Sequence, residues 1–384
     1  MMKKVCVTGI LIALVSCLLP LAYVSDAGAQ SATAEDILCS SSVEVDFPLT
    51  LRFKISAESS YDITDIRLRY STNIESFAPI TSEAFIKFEP DTDVDTEWSW
   101  DMRKTGGLPP GTTIKYRWIL KDAGGNSVET EAARIRFEDD RYDWQTVTEG
   151  NLTIHWYEGN QLFTSELMAS AQDALKRLQQ NTGAYLKKEA EIYIYADSSD
   201  LQGAMVFPQE WTGGVAFTNY YTIAIGIAPY NIDWGKDAMT HELTHLVVHQ
   251  MVLNPYIGLP TWLDEGLAMY NEGSLDVGFT SRLKDAVDEN RLITVRSLSS
   301  PFSTDTETAF LSYAQSYSLV EYLITTYGQE KMLELLMTFS QGSSYDEALG
   351  SVYDFDTQEL NSLWLDYISN QYRLETTETV AIMR

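Results

Sequence analysis

The sequence predicts an α+β chain of two domains, a β-sandwich followed by a mixed unit that opens with strands and helices and ends in helices alone. Three observations predict it. Between Val43 and about Glu138, polar and apolar residues alternate with period two, and glycine- and proline-rich turns punctuate the runs. From Asn151 onward, short β-like runs alternate with longer stretches of helical spacing, and past Leu253 helical spacing takes over. Within the second region His241-Glu242-Leu243-Thr244-His245 is followed by Trp262-Leu263-Asp264-Glu265-Gly266, two apolar helical segments that carry ionisable residues at fixed offsets.

The chain has 384 residues, enough for two domains and a sizeable core, and its 45% hydrophobic and 21% charged content is that of a globular protein. The formal net charge of -28 argues against nucleic acid or an anionic membrane surface as a partner. Nothing localises that charge, so it reads as a solvated surface.

At the N-terminus Lys3 and Lys4 precede an apolar run from Val5 to about Val24, and Ala27-Gly28-Ala29 is a small-x-small cleavage site. Residues 1–29 therefore read as an export signal cleaved after Ala29, which makes the chain secreted or cell-surface. The alternatives are an uncleaved membrane anchor, since the run approaches the length of a span, and lipidation at Cys17. Only Cys39 of the three cysteines survives cleavage, so a mature chain has no internal disulfide. Residues 30–42 read as a linker.

In the β domain, placed at 43–140, Ile66, Leu68 and Tyr70 alternate with Arg67 and Arg69, and Ile114, Tyr116, Trp118 and Leu120 with Lys115, Arg117 and Ile119. Gly106-Gly107, Pro109-Pro110-Gly111 and Asp122-Ala123-Gly124-Gly125-Asn126 supply turns. Trp98, Trp100 and Trp118 read as buried aromatic core rather than a sugar-stacking platform. The acidic stretch Asp139 to Gly150 marks the boundary, and the second domain runs from 150 to 384, with an α/β part to 252 and a helical part beyond.

That domain begins with a strand over Asn151–Tyr157, in which His155 takes a structural role. A helix follows over Phe163–Ala184, then strands over Ala190–Ala196, Gly213–Phe217 and Tyr221–Ile227. The histidine-bearing helix spans Asp233 to about Val252, closed by Asn254-Pro255.

A helix turns about 100° per residue, so His241 and His245 present two imidazoles to one spot, with Glu242 beside them. Histidine is scarce, 4 in the whole chain, and three of them fall between His241 and His249. Two imidazoles and one carboxylate with an open position are what a catalytic zinc requires, and a carboxylate at its edge can serve as general base. Glu265 supplies the third ligand. A histidine in that role would stand at position 251, which is Met251, and position 248 is Val248 rather than glycine. His249 reads as a packed or supporting residue. Glu272, two turns beyond Glu265 on the same face, can accept a hydrogen bond from a ligand histidine.

A third ligand placed on a following helix resembles the gluzincin clan, and Trp262-Leu263-Asp264-Glu265-Gly266-Leu267-Ala268 is similar to its third-ligand helix. More narrowly, the chain from about Asn151 resembles the bacterial peptidase MA-like metallohydrolases. Tyr313-Ala314-Gln315-Ser316-Tyr317, Tyr322-Leu323 and Tyr327-Gly328 fit their helical tail. The Tyr116 to Asn126 stretch resembles immunoglobulin-like or fibronectin-type modules.

The resemblance implies a thermolysin-like zincin domain holding Zn2+ through His241, His245 and Glu265, and acting on a peptide or protein with Glu242 as base. Tyr317 or Tyr313 is then the oxyanion donor. It also implies an edge strand that binds extended substrate, for which Thr222-Ile223-Ala224-Ile225 is the candidate. The run Gly203-Ala204-Met205-Val206 is similar to the aminopeptidase Gly-x-Met-Glu-Asn loop but lacks its Glu and Asn, which favours an endopeptidase. The alternative function is a cell-surface binding or adhesion protein whose metal domain hydrolyses nothing.

Overall fold

The computed structural model describes residues 30–34, 37–208 and 213–382, with side chains for 37–208 and 213–372. The export signal expected over residues 1–29, with its cleavage site and Cys17, lies outside the described residues.

The N-terminal domain holds β1 (Gln30–Ala34), β2 (Ile37–Asp46), β3 (Thr50–Thr72), β4 (Ser82–Phe85), β5 (Asp91–Asp101), β6 (Thr112–Asp122), β7 (Ser127–Glu129) and β8 (Ala133–Phe137). The linker expected over 30–42 is strand instead: β1 pairs antiparallel with β2. Its serines and threonine disguised it, although Ile37, Cys39 and Ser41 alternate inward in β2 while their neighbours face out.

The long β3 organises this domain. Its first half, from Thr50 to Glu58, pairs with β2 and β5, and its second half, from Ile63 to Thr72, with β4 and β6. The register breaks between Glu58 and Ile63, as at a bulge that re-aims a strand. Phe53 from one half and Ile66, Leu68 and the partner Trp118 from the other are all buried in one core. Trp98 and Trp100 pack on Tyr70, with ring centroids 5.2 and 4.8 Å away, as core aromatics.

The second domain contains β9 (Gln145–Glu149), β10 (Leu152–Trp156), α1 (Gln161–Thr182), β11 (Ala190–Tyr195), α2 (Ser198–Gly203), β12 (Gly214–Phe217) and β13 (Thr222–Gly226). Then come α3 (Ile232–Val252), α4 (Thr261–Glu272), α5 (Val277–Asp288), α6 (Val295–Leu298), α7 (Thr306–Tyr327), α8 (Gln329–Ser340), α9 (Tyr345–Tyr353) and α10 (Thr357–Ile382).

Its sheet has the order β12-β13-β11-β10-β9. The three inner strands are parallel, and β9 and β12 close the ends antiparallel. The boundary stretch is therefore less irregular than expected. Its last residues form β9, whose mostly exposed side chains give no apolar alternation to read.

Successive residues of a strand face opposite ways, and here both faces are covered. Ile192, Ile194, Ile223 and Ile225 pack against the helices. Tyr193, Tyr195 and Ala224, between them in sequence, belong to the core of the N-terminal domain. That domain is thus fused to the back of the second sheet rather than spaced from it.

Polar ties frame this contact. Arg136 Nη2 lies 2.9 Å from Glu191 Oε2, Arg141 Nη1 donates to the Gly203 carbonyl at 3.0 Å, and Lys188 Nζ reaches Glu75 Oε2 at 2.5 Å. His155 stacks on Tyr193 at 4.3 Å and lies 3.2 Å from Glu191, the structural role expected of it. Among the described residues no helix is long and apolar enough to cross a membrane.

Candidate active site

Two helices and one strand bring the site together. On α3, Met239, Leu243, Leu246 and Val247 are buried against the sheet and neighbouring helices, which leaves His241, Glu242 and His245 toward the cleft. The helix ends at Val252, where the following turn is held by Asn254. Its Nδ2 donates to the carbonyls of Val252 and Ile257, and its Oδ1 accepts from the Tyr256 and Ile257 N–H groups.

That turn sends the chain back as α4. Asn271, buried in α4, donates to Thr244 Oγ1 at 2.8 Å and to the Ala174 carbonyl at 3.3 Å, tying α4 to α3 and α1. Gly266 lets α4 and α7 touch backbone to backbone: a β-carbon there would lie 2.4 Å from the Ser316 carbonyl oxygen.

His241, His245 and Glu265 converge as the spacing predicts, with one ligand atom from each inside a span of 4.8 Å. Glu265 Oε2 lies 3.3 Å from His241 Nε2 and 3.5 Å from His245 Nε2. It is buried and has no hydrogen-bond partner of acceptable geometry. The far nitrogens are both engaged: His241 Nδ1 is 2.5 Å from Glu272 Oε1, and His245 Nδ1 is 2.9 Å from Asp264 Oδ1. With Nδ1–H donating to a carboxylate on each ring, both Nε2 lone pairs turn toward Glu265.

Electrostatics agree with a cation there. Burial alone would lower the His241 pKa, but the nearby carboxylates of Glu265 and Glu272 outweigh it and raise it to about 9. Burial would raise Glu265, yet the two histidines hold it at about 2. A nitrogen–nitrogen–carboxylate set with an orphaned oxygen at its centre fits zinc.

Glu272 stands in the supporting position expected of it. Asp264 was not singled out in the sequence, although it bridges His245 and His249: its Oδ2 lies 2.9 Å from His249 Nε2. The signal was available, since His245 and His249 are one turn apart and Asp264 immediately precedes the third ligand. Because Asp264 already bonds both rings, His245, His249 and Asp264 form a support for the first cluster rather than a second metal centre.

Glu242 is carried on α3 beside β12. Its carboxylate accepts from the Ala216 N–H, and a β-carbon on Gly214 would sit 3.2 Å from its Oε1. Burial raises its pKa above the usual carboxylate range, against the pull of the two histidines.

The expectation that Thr222–Ile225 forms the sheet edge is corrected. Those residues lie in β13, flanked on both sides, and β12 is the edge. The short run Gly214–Phe217, with its glycine, was the weaker strand signal. Gly203-Ala204-Met205-Val206 is also off the site: Ala204 is buried in the N-terminal core, and Val206 meets Gly107.

The two tyrosines of α7 separate. Tyr313 has its ring 6.5 Å from that of His241, and burial together with Glu265, Glu242 and Glu272 raises its pKa. Tyr317 turns away. Its hydroxyl donates to Glu321 at 3.3 Å and its ring packs on Tyr270, because four residues carry it a full turn along α7, beyond the cluster.

Residues 170–370, just over half the chain, match the family model described as Peptidase MA superfamily. Among solved structures, an M1 zinc metallopeptidase from Deinococcus radiodurans is similar at 10% identity, covering 88% of this chain and 95% of that one with a TM-score of 0.37. Aminopeptidase A from Legionella pneumophila, solved with aspartic acid, is similar at 10% identity over 84% of this chain and 49% of that one, with a TM-score of 0.39. No curated protein matches.

Proposed function

The chain belongs to the Peptidase MA superfamily of zinc metallopeptidases, and we propose that it is an exported peptidase in which His241, His245 and Glu265 hold the ion and Glu242 is the general base. The observation that carries this is the unpartnered Glu265 Oε2 set between two Nε2 atoms whose rings are fixed from behind by Glu272 and Asp264. Zinc, when bound, supplies the positive charge that acidifies a water and polarises a scissile carbonyl.

Glu242 takes a proton from the attacking water as its oxygen bonds to the carbonyl carbon. It returns that proton to the nitrogen as the C–N bond breaks. The Tyr313 hydroxyl donates to the oxyanion, a contact made in the transition state and therefore catalytic. The free edge of β12 pairs with extended substrate backbone. Glycine at position 214 keeps that approach open beside Glu242.

Endopeptidase action on peptides or proteins is the reading proposed, and internal cleavage in a peptide library decides it. The N-terminal domain, read as an immunoglobulin- or fibronectin-like module, backs the catalytic sheet through Tyr193, Tyr195 and Ala224. Export rests on the Lys3-Lys4 and apolar leader pattern.

The test is a peptide library digested by the zinc-loaded protein and read by mass spectrometry, with and without chelator. The proposal expects internal cleavages that chelator abolishes and that Glu242→Gln lowers about 10²- to 10⁴-fold with zinc content unchanged. Zinc retention with no cleavage would leave a binding protein instead.

A further inference from the structure

Beside the metal cluster lies a cavity of 740 Å³, within the ~300–1,000 Å³ range of ligand sites. Helix α4 gives it one pair of residues a turn apart, Thr261 with Glu265, helix α7 gives it two, Thr306 with Phe310 and Ala309 with Tyr313, and the loop at Pro301–Thr304 lines its remaining side. Glu265 and Tyr313 therefore belong both to the cavity wall and to the cluster. A side chain seated there sits on a residue whose backbone lies at the ion.

The lining chemistry is selective. Among the described residues no lysine, arginine or histidine lines the cavity, and its one carboxylate, Glu265, is turned to the imidazoles. The hydroxyls of Thr261, Ser303, Thr304 and Thr306 are neutral, so a charged side chain would lose water with no opposite charge to replace it. Phe302 packs edge-on to Tyr313 at 5.2 Å, and Phe310 is held by Phe279 at 5.6 Å and by the Arg282 guanidinium at 5.1 Å, so the lining aromatic rings are fixed in place.

We propose that this cavity seats a bulky apolar side chain of the residue flanking the scissile bond, making the substrates peptides or proteins with an aromatic or large aliphatic residue there. The inference rests on the peptidase reading above.

The library digest tests both readings separately. Chelator-sensitive cleavage beside Phe, Tyr, Leu or Met supports the proposal, and chelator-sensitive cleavage without that preference overturns it while leaving a peptidase. Ala309→Phe, and independently Thr304→Trp at the exposed rim, should lower kcat/KM for bulky-residue peptides about 10- to 200-fold while small-residue peptides change less than about twofold. Unchanged preference in both variants also overturns it. An absence of cleavage counts against the peptidase reading alone, and calorimetry then reads the cavity. Glu242→Gln protein should bind a phenylalanine peptide about tenfold more tightly than its alanine twin, with the difference lost on adding Ala309→Phe. Equal affinities overturn the proposal.

Discussion

Asp264 Oδ1 lies 2.9 Å from His245 Nδ1, so the residue just before the third candidate ligand fixes the ring of the second. With Glu272 doing the same for His241, both imidazoles enter the site with the tautomer a metal requires. Asp264→Ala should therefore weaken zinc binding about 10- to 100-fold while the chain stays folded. Competition against a chromophoric chelator reads this directly, and wild-type affinity would remove Asp264 from the site.

The two tyrosines of α7 make opposite predictions. Tyr313→Phe should lower kcat about 10²- to 10³-fold with little change in KM, since an oxyanion contact acts in the transition state. Tyr317→Phe should leave kcat near wild type, because that hydroxyl is spent on Glu321. Steady-state kinetics on one peptide compares them, and equal losses would contradict the assignment.

The metal cluster was legible in the sequence because its logic is local: positions four apart share a helix face, and the scarce histidines were spent there. What escaped notice depends on how elements meet. Tyr313 and Tyr317 share a helical phase, so only the packing of α7 against α4 separates them. Asp264 carried no role in the sequence reading, because only the return angle of α4 aims it at two histidines. The edge strand was assigned to the more apolar run, and apolarity marks a covered strand rather than a free one. Tyr193 and Tyr195 read as alternation within one strand, with nothing to say that their face would be closed by the other domain.

That closure has a pH signature. Burial would raise the Glu191 pKa, but the neighbouring His155 ring and the Arg136 guanidinium, which donates to its carboxylate, hold it at about 2, below its ordinary 4.5. A depressed carboxylate stabilises the fold fully above its unfolded value, and the contribution drains away as pH falls toward the folded value. The stability gap between wild type and Glu191→Gln should therefore be constant above about 4.5 and shrink toward about 2. Denaturant melts across that range measure it, and a gap that widens on acidification would refute the pairing.

Gly266→Ala probes the seam that positions Glu265. Alanine favours a helix interior over glycine by about 1 kcal/mol. Here its β-carbon would meet the Ser316 carbonyl oxygen at 2.4 Å, and that backbone has no rotamer through which to yield. Overpacking costs about 1–3 kcal/mol, so the clash should win and Tm should fall. A raised Tm would show that α4 and α7 are further apart than described.

The most direct measurement is anomalous diffraction at the zinc absorption edge from crystals grown with zinc. The account predicts one strong peak about 2.0–2.2 Å from His241 Nε2, His245 Nε2 and a Glu265 carboxylate oxygen. A peak elsewhere with that site empty at saturating zinc, or coordination that leaves out Glu265, would contradict it.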